Sequence, residues 1–133
     1  MAEMTINWFA ILGASVVGFA VGFLWYGPLF GKAWMKSVGL TEEDAQQGNM
    51  GKTFGISFVC QFIMTYCLAM FFGNNLGAVE GSLYGFLTGF AWVALALTVN
   101  GLYEQKSWQY ILINGGYWTV TFTLMGLILG IFN

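Results

Sequence analysis

The sequence has little charge, no histidine, two cysteines and one proline. Charged residues make up 8% of the 133-residue chain, whereas a soluble domain usually contains about 25%. The charges are clustered and leave four charge-free stretches of 23 to 28 residues, at 4–31, 53–79, 81–103 and 107–133. About 20 apolar residues of helix cross the hydrocarbon core of a bilayer. Each stretch is therefore long enough to span a membrane.

These absences also argue against several kinds of chemistry. Without histidine, no imidazole is available to activate a serine nucleophile or to bind zinc beside cysteine ligands. Cys60 and Cys67 are seven residues apart on one predicted helix, roughly 10 Å along its axis, which is too far for a disulfide. No basic patch favours nucleic acid. We therefore expect no enzymatic activity, no cofactor, no metal site and no nucleic-acid partner.

The apolar stretches predict helices rather than barrel strands. A barrel strand alternates apolar and polar residues, but segments 58–64 and 90–97 are apolar on nearly every side. In lipid a helix satisfies its own backbone hydrogen bonds. We predict an all-α bundle of four transmembrane helices in a single domain over 1–133. The predicted spans are about 6–27, 53–73, 81–103 and 108–131, joined by short antiparallel connections and one longer connection at 29–52.

The lysines predict the orientation of the bundle. Lys32, Lys36 and Lys52 lie between spans 1 and 2, and Lys106 lies between spans 3 and 4. Connections rich in lysine and arginine stay in the cytoplasm. We therefore expect both connections inside and both termini outside. Aromatic rings favour the membrane–water interface, and we assign to it Trp8, Trp25, Tyr26, Trp34 and Trp108.

The residues after span 1 carry several boundary markers. Pro28 has no amide hydrogen and disfavours helix at the preceding residue, so we predict that span 1 ends at Gly27. A short helix is expected from Gly31 to Val38, with Gly39 as its stop. Thr41 is the predicted N-cap of a second short helix, which residue 48 would end.

Small residues recur at every fourth position in three spans. In lipid such strips let helix backbones approach closely. In span 1 the strip contains two alanines before its glycines, and we favour packing within one subunit there. In span 3 the strip is longest, and packing within one subunit and packing between subunits remain equally open. The predicted helix-packing glycines are Gly18, Gly22, Gly77, Gly81, Gly85, Gly89, Gly126 and Gly130.

Polar residues inside spans 2–4 form the second candidate feature. Spans 3 and 4 meet at a short connection, so polar groups near it could gather in the cytoplasmic half. Two interpretations remain open: an interhelical hydrogen-bond network that fixes packing, or the wall of a path for a small solute or ion. We expect Glu104 and Asn114 to matter most. The predicted cluster is Gln61, Asn100, Glu104, Asn114 and Tyr117.

Several segments together resemble the small bacterial membrane proteins grouped as domain-of-unknown-function family 1761. The resemblance runs in order along nearly the whole chain, through LWYGPLFGKAWM at 24–35, TEED at 41–44, MGK at 50–52, the glycine-stepped third span, INGGY at 113–117 and MGLILG at 125–130. It implies four spans, a bacterial inner (plasma) membrane and no established activity.

Two functional hypotheses follow. The favoured one is a non-enzymatic helix-packing module that acts as a homo-oligomer or as an accessory subunit of a membrane-protein partner, in contact with membrane lipid. The alternative is a small solute or ion channel or carrier lined by the polar residues of spans 2–4. The size and number of spans are also similar to those of small multidrug exporters. Those exporters use a carboxylate deep in the first span, and this first span has none.

Overall fold

The computed structural model describes residues 6–39, 50–73 and 75–132, and these residues form helices and no strand. The all-α prediction is confirmed. Four helices are long and apolar enough to cross a membrane. Span 1 is Trp8–Leu29, span 2 is Gly51–Phe72, span 3 is Ala78–Tyr103 and span 4 is Trp108–Ile131. These bounds differ from the predicted ones by three residues or fewer.

Side chains cap the start of three spans. The Asn7 side chain accepts a hydrogen bond from the Ala10 amide, and the Ser107 side chain accepts one from the Tyr110 amide. At the start of span 3 the Gly77 amide donates to the Glu80 carboxylate at 2.7 Å. These bonds satisfy amides that have no partner within the helix.

Span 1 does not end before Pro28, so that prediction was wrong. The chain continues as a π-helical segment over Trp25–Leu29 with Pro28 inside it, and the Phe30 amide donates to the Trp25 carbonyl five residues earlier. In an α-helix the proline ring clashes with the carbonyl four residues before it. A π-turn is wider than an α-turn and moves that carbonyl away. The proline therefore widens the last turn instead of ending the helix.

The short helix after span 1 has the predicted bounds. It runs over Gly31–Val38 and ends at Gly39, which adopts a left-handed conformation with φ of 73°. This conformation strains any residue with a Cβ and is readily adopted by glycine. The predicted second short helix, with its start at 41 and its end at 48, lies outside the described residues.

The bundle is unevenly packed. Span 4 packs along span 3 and also against span 1, whereas span 2 packs against span 1 and contacts span 4 only lightly. The apolar core lies in the half of the bundle that holds the two chain ends. It is formed by Ala10, Ile11, Ala14, Leu68, Phe72, Phe122, Met125 and Leu129. In the same half, the side-chain nitrogen of Asn7 donates to the Phe132 carbonyl at 2.7 Å. This bond joins the start of span 1 to the end of span 4.

The glycine strip of span 3 lies against span 4 of the same chain. A Cβ added at Gly81 would collide with the backbone of Gly126, and one added at Gly85 would collide with the Phe122 carbonyl. Likewise, a Cβ at Gly130 would collide with the Gly77 carbonyl. The two backbones touch along these glycines because no side chain separates them. Span 4 therefore occupies the strip that a second subunit was equally expected to fill.

Candidate functional site

A buried group of polar contacts joins three spans near the middle of the bundle. The Gln61 side-chain nitrogen donates to the Tyr117 hydroxyl at 2.6 Å. That hydroxyl donates to the Gly18 carbonyl at 2.9 Å. Gln61 and Tyr117 are 4% and 5% exposed, so these bonds form away from solvent and lipid. We call Gly18, Gln61 and Tyr117 the polar node.

Glycine in span 1 makes room for the node. A Cβ at Gly18 would collide with the side-chain oxygen of Gln61, and a Cβ at Gly22 would lie 3.2 Å from the Tyr117 hydroxyl. The two glycines thus admit polar side chains from spans 2 and 4 to the backbone of span 1. In the first half of the same strip, Ala10 and Ala14 pack in the apolar core. One small-residue strip therefore serves two purposes along its length.

Two buried oxygens beside the node have no hydrogen-bond partner among the described residues. They are the side-chain oxygens of Gln61 and Thr121. The Gln61 oxygen lies where a Cβ at Gly18 would stand, close to the backbone of span 1. Buried polar atoms without a hydrogen-bond partner lower the stability of the fold. These two oxygens therefore make the node a costly way to pack the helices together.

A second polar contact joins the end of span 1 to span 4. The Tyr26 hydroxyl donates to the side-chain oxygen of Asn114 at 2.6 Å, and the Trp25 ring nitrogen donates to the Ile113 carbonyl at 2.8 Å. Trp25 and Tyr26 are residues predicted as interface aromatics, and their contacts with span 4 were not predicted. The spacing of Tyr26 four residues after Gly22, on the same helix face, could have suggested that contact.

Asn100 and Glu104 do not join this cluster, contrary to the prediction. Both are exposed, and in the described part of the chain no side-chain hydrogen bond links them to Asn114 or Tyr117. The end of span 3 presents Gly101 to span 4, where a Cβ would meet the Ile111 side chain. Asn100 and Glu104 point away from this face. The importance expected for Glu104 stays a prediction that no described hydrogen bond to Asn114 or Tyr117 supports.

The remaining predicted interface tryptophans lie outside the core. Trp8 and Trp108 are 52% and 61% exposed at the starts of spans 1 and 4. The Trp8 ring stacks on Tyr66, with centroids 5.6 Å apart. Trp34 is half-buried and lies edge-on to Tyr26 at 5.5 Å.

A cavity of about 500 Å³ is lined by residues of spans 1, 2 and 4. We call it the aromatic cavity, because six of its lining residues carry aromatic rings. Gln61 and Tyr117 of the node are also among its lining residues, together with the hydroxyls of Thr53 and Ser57. No charged side chain lines it in the described part of the chain. The aromatic lining residues are Phe19, Phe23, Tyr26, Phe54, Tyr117 and Trp118.

A second opening separates spans 2 and 3. This cleft has a volume of about 770 Å³ and is lined almost entirely by apolar side chains of the two spans. Cys67 and Ala91 lie in it, with Phe71 and Trp92 as its most exposed large side chains. Spans 2 and 3 approach each other at one end, where the rings of Phe72 and Tyr84 have centroids 6.4 Å apart. We call this opening the lateral cleft.

Four apolar helices around a buried polar node define a small all-α membrane protein. The chain belongs to the family described as Protein of unknown function (DUF1761), whose sequence model matches residues 9–130. The resemblance to this family is thus confirmed. No curated protein and no solved structure matches the chain significantly.

Proposed function

We propose that this protein is a non-enzymatic membrane module that assembles with a second copy of itself through the lateral cleft. The observation that carries the proposal is the asymmetry of the bundle. Span 4 packs along spans 1 and 3, and span 2 packs against span 1, whereas spans 2 and 3 leave an apolar cleft between them. We further propose that it resides in a bacterial inner membrane with both termini outside.

A second copy suits the cleft better than a single lipid chain. The cleft is bordered by helices on both sides, and two of its lining rings, Phe71 and Trp92, are 80% and 69% exposed. Large aromatic side chains are typical anchors of protein interfaces. A two-fold axis along the bundle would bring two clefts face to face and keep every residue at the same membrane depth. Each copy could then insert its aromatic edge into the cleft of the other.

The two native cysteines provide the test. Cys67 lines the lateral cleft and Cys60 lines the aromatic cavity. In Cys60→Ser, the remaining Cys67 should form a covalent dimer in membranes treated with an oxidant or a short bis-maleimide. The matched variant Cys67→Ser should cross-link several-fold less, because its thiol lies outside the proposed interface.

Native mass spectrometry in detergent should show the same two-copy assembly for the wild type. A single-copy mass together with equal cross-linking of the two variants would contradict assembly through the cleft. Cross-linking of Cys67 to a different membrane protein would instead support the accessory-subunit form of the proposal.

The alternative function is a path for a small solute or ion through spans 2–4. The packing of the predicted lining residues favours the module. Gln61 and Tyr117 are hydrogen-bonded to each other inside the bundle, whereas Asn100 and Glu104 are exposed on its surface. A continuous polar path would require these groups to share one wall.

We expect liposomes containing the wild-type protein to pass common ions and small metabolites no faster than empty liposomes. A pore-forming ionophore serves as the positive control for the assay. Flux above the empty-liposome level that is lost in Asn114→Leu, with the helical fold retained, would favour the path and overturn the module.

A further inference from the structure

We infer that the aromatic cavity binds an uncharged membrane-soluble molecule whose head is a planar ring carrying oxygen atoms, that is, a quinone or a phenol. The cavity shares no lining residue with the lateral cleft, so this inference does not depend on self-assembly. Its volume of about 500 Å³ falls within the range of small-molecule sites, roughly 300–1,000 Å³.

The ligand should be uncharged, because the cavity has nothing to neutralise a charge. Its described lining contains hydroxyl, amide and thiol groups but no carboxylate and no ammonium group. An ion moved into such a low-dielectric site without a partner loses much more solvation energy than a neutral polar group does. Neutral oxygen atoms of a ligand can form hydrogen bonds with these polar groups.

The aromatic walls of the cavity indicate that the head of the ligand is a planar ring. Six aromatic side chains line the cavity, with Tyr117 and Trp118 adjacent on span 4 and Phe54 opposite on span 2. Aromatic pairs favour offset-stacked or edge-to-face geometry and gain energy beyond simple burial. A planar head can use these surfaces, whereas a flexible acyl chain gains only its burial.

The Ser57 hydroxyl indicates that the ligand carries oxygen atoms. Serine and threonine in membrane helices commonly donate to the carbonyl four residues earlier, and in the described spans Ser15, Thr65, Ser82, Thr88, Thr98, Thr119 and Thr123 do so. Ser57 makes no such bond within the described residues, although it is half-buried in the cavity wall. A hydroxyl in an apolar setting needs a partner, and a ligand carbonyl or hydroxyl can supply one.

Access from the lipid explains why the molecule should be membrane-soluble. Phe23 of span 1 and Ile56 of span 2 line the cavity and are 53% and 54% exposed. The cavity therefore borders apolar surface within two spans. A ligand with an apolar tail could therefore place its ring inside and leave its tail among the lipids.

The test uses a short-tailed benzoquinone and the protein in lipid nanodiscs. Quinones quench tryptophan emission, so binding should appear as saturable quenching that largely disappears in Trp118→Phe. Ser57→Phe fills the cavity and should weaken binding at least tenfold. Val59→Phe is the matched control: it places the same ring on the same span at a site that lines neither opening, and it should bind as the wild type does.

Two further comparisons separate the parts of the inference. Ser57→Ala removes only the hydroxyl and should weaken binding by roughly two- to tenfold, the fold-change that one net hydrogen bond corresponds to. An alkylbenzene without oxygen should bind more weakly by a similar factor, and an alkyl-trimethylammonium should not compete. Equal binding of the quinone by wild type and Ser57→Phe, with both folded by circular dichroism, would overturn the site. Tighter binding of the ammonium probe would overturn the uncharged class.

Discussion

Replacing Gly85 with isoleucine should destabilise the fold much more than the same substitution at a glycine with open space around it. The new side chain would enter the contact between spans 3 and 4, where even a Cβ collides with the Phe122 carbonyl and lies 3.3 Å from the Cα of Gly126. Backbone atoms have no alternative rotamer, so the two helices must separate along the strip. Overpacking of this kind costs typically 1–3 kcal/mol and sometimes more, and we expect the upper end of that range.

The matched controls are Gly13→Ile and Gly55→Ile. Neither glycine has an atom within 4 Å of its added Cβ, so both variants carry the same change in helix propensity without the collision. The free energy of unfolding can be measured by titrating SDS into detergent micelles and following helicity. The controls should stay within roughly 0.5 kcal/mol of the wild type, as is usual for exposed sites. Equal losses at all three sites would show that the strip does not hold spans 3 and 4 together.

The sequence was sufficient to predict the helices, because their determinants are local. Charge-free length sets the number of spans, and the left-handed glycine at 39 ends the short helix. Pro28 was misjudged because a proline has two outcomes in a helix. It can end the helix, or it can be absorbed by a wider turn, and the choice depends on the packing of the next residues. Here the Trp25 ring nitrogen donates to the Ile113 carbonyl and the Tyr26 hydroxyl donates to the Asn114 side chain. Two residues shortly before Pro28 are therefore held against span 4.

Which residues face each other was only partly predictable. The four-residue spacing identified the strip of span 3, but its partner depends on the arrangement of all four helices. The short connection at 104–107 was enough to predict that the end of span 3 lies near the start of span 4. It could not specify the rotation of span 3 about its axis. In the structure Gly101 faces the Ile111 side chain of span 4, and Asn100, one residue earlier, is exposed.

The polar node should contribute a measurable part of the stability, and Tyr117 should be its most sensitive member. Tyr117→Phe removes the hydroxyl that accepts from Gln61 and donates to the Gly18 carbonyl. The Gln61 amide would then be buried with neither its nitrogen nor its oxygen hydrogen-bonded. Leaving a buried polar group unsatisfied costs about 1–3 kcal/mol, whereas an average interhelical bond in a membrane protein contributes about 0.6 kcal/mol. We expect a loss of about 2 kcal/mol.

A double-mutant cycle distinguishes the node from a general effect of removing a hydroxyl. Gln61→Leu deletes the amide and its unpartnered oxygen together, while the Tyr117 hydroxyl keeps its bond to Gly18, so this variant should lose less than Tyr117→Phe. In the double variant no amide remains to be left unsatisfied, and the loss should be smaller than the sum of the single losses by about 1 kcal/mol, the coupling expected of residues in one network. Tyr103→Phe, at a side chain that is 86% exposed, is the matched control and should change little. Additive losses, or a Tyr117→Phe effect as small as that of Tyr103→Phe, would mean that the node adds nothing to the other contacts that hold spans 1, 2 and 4 together.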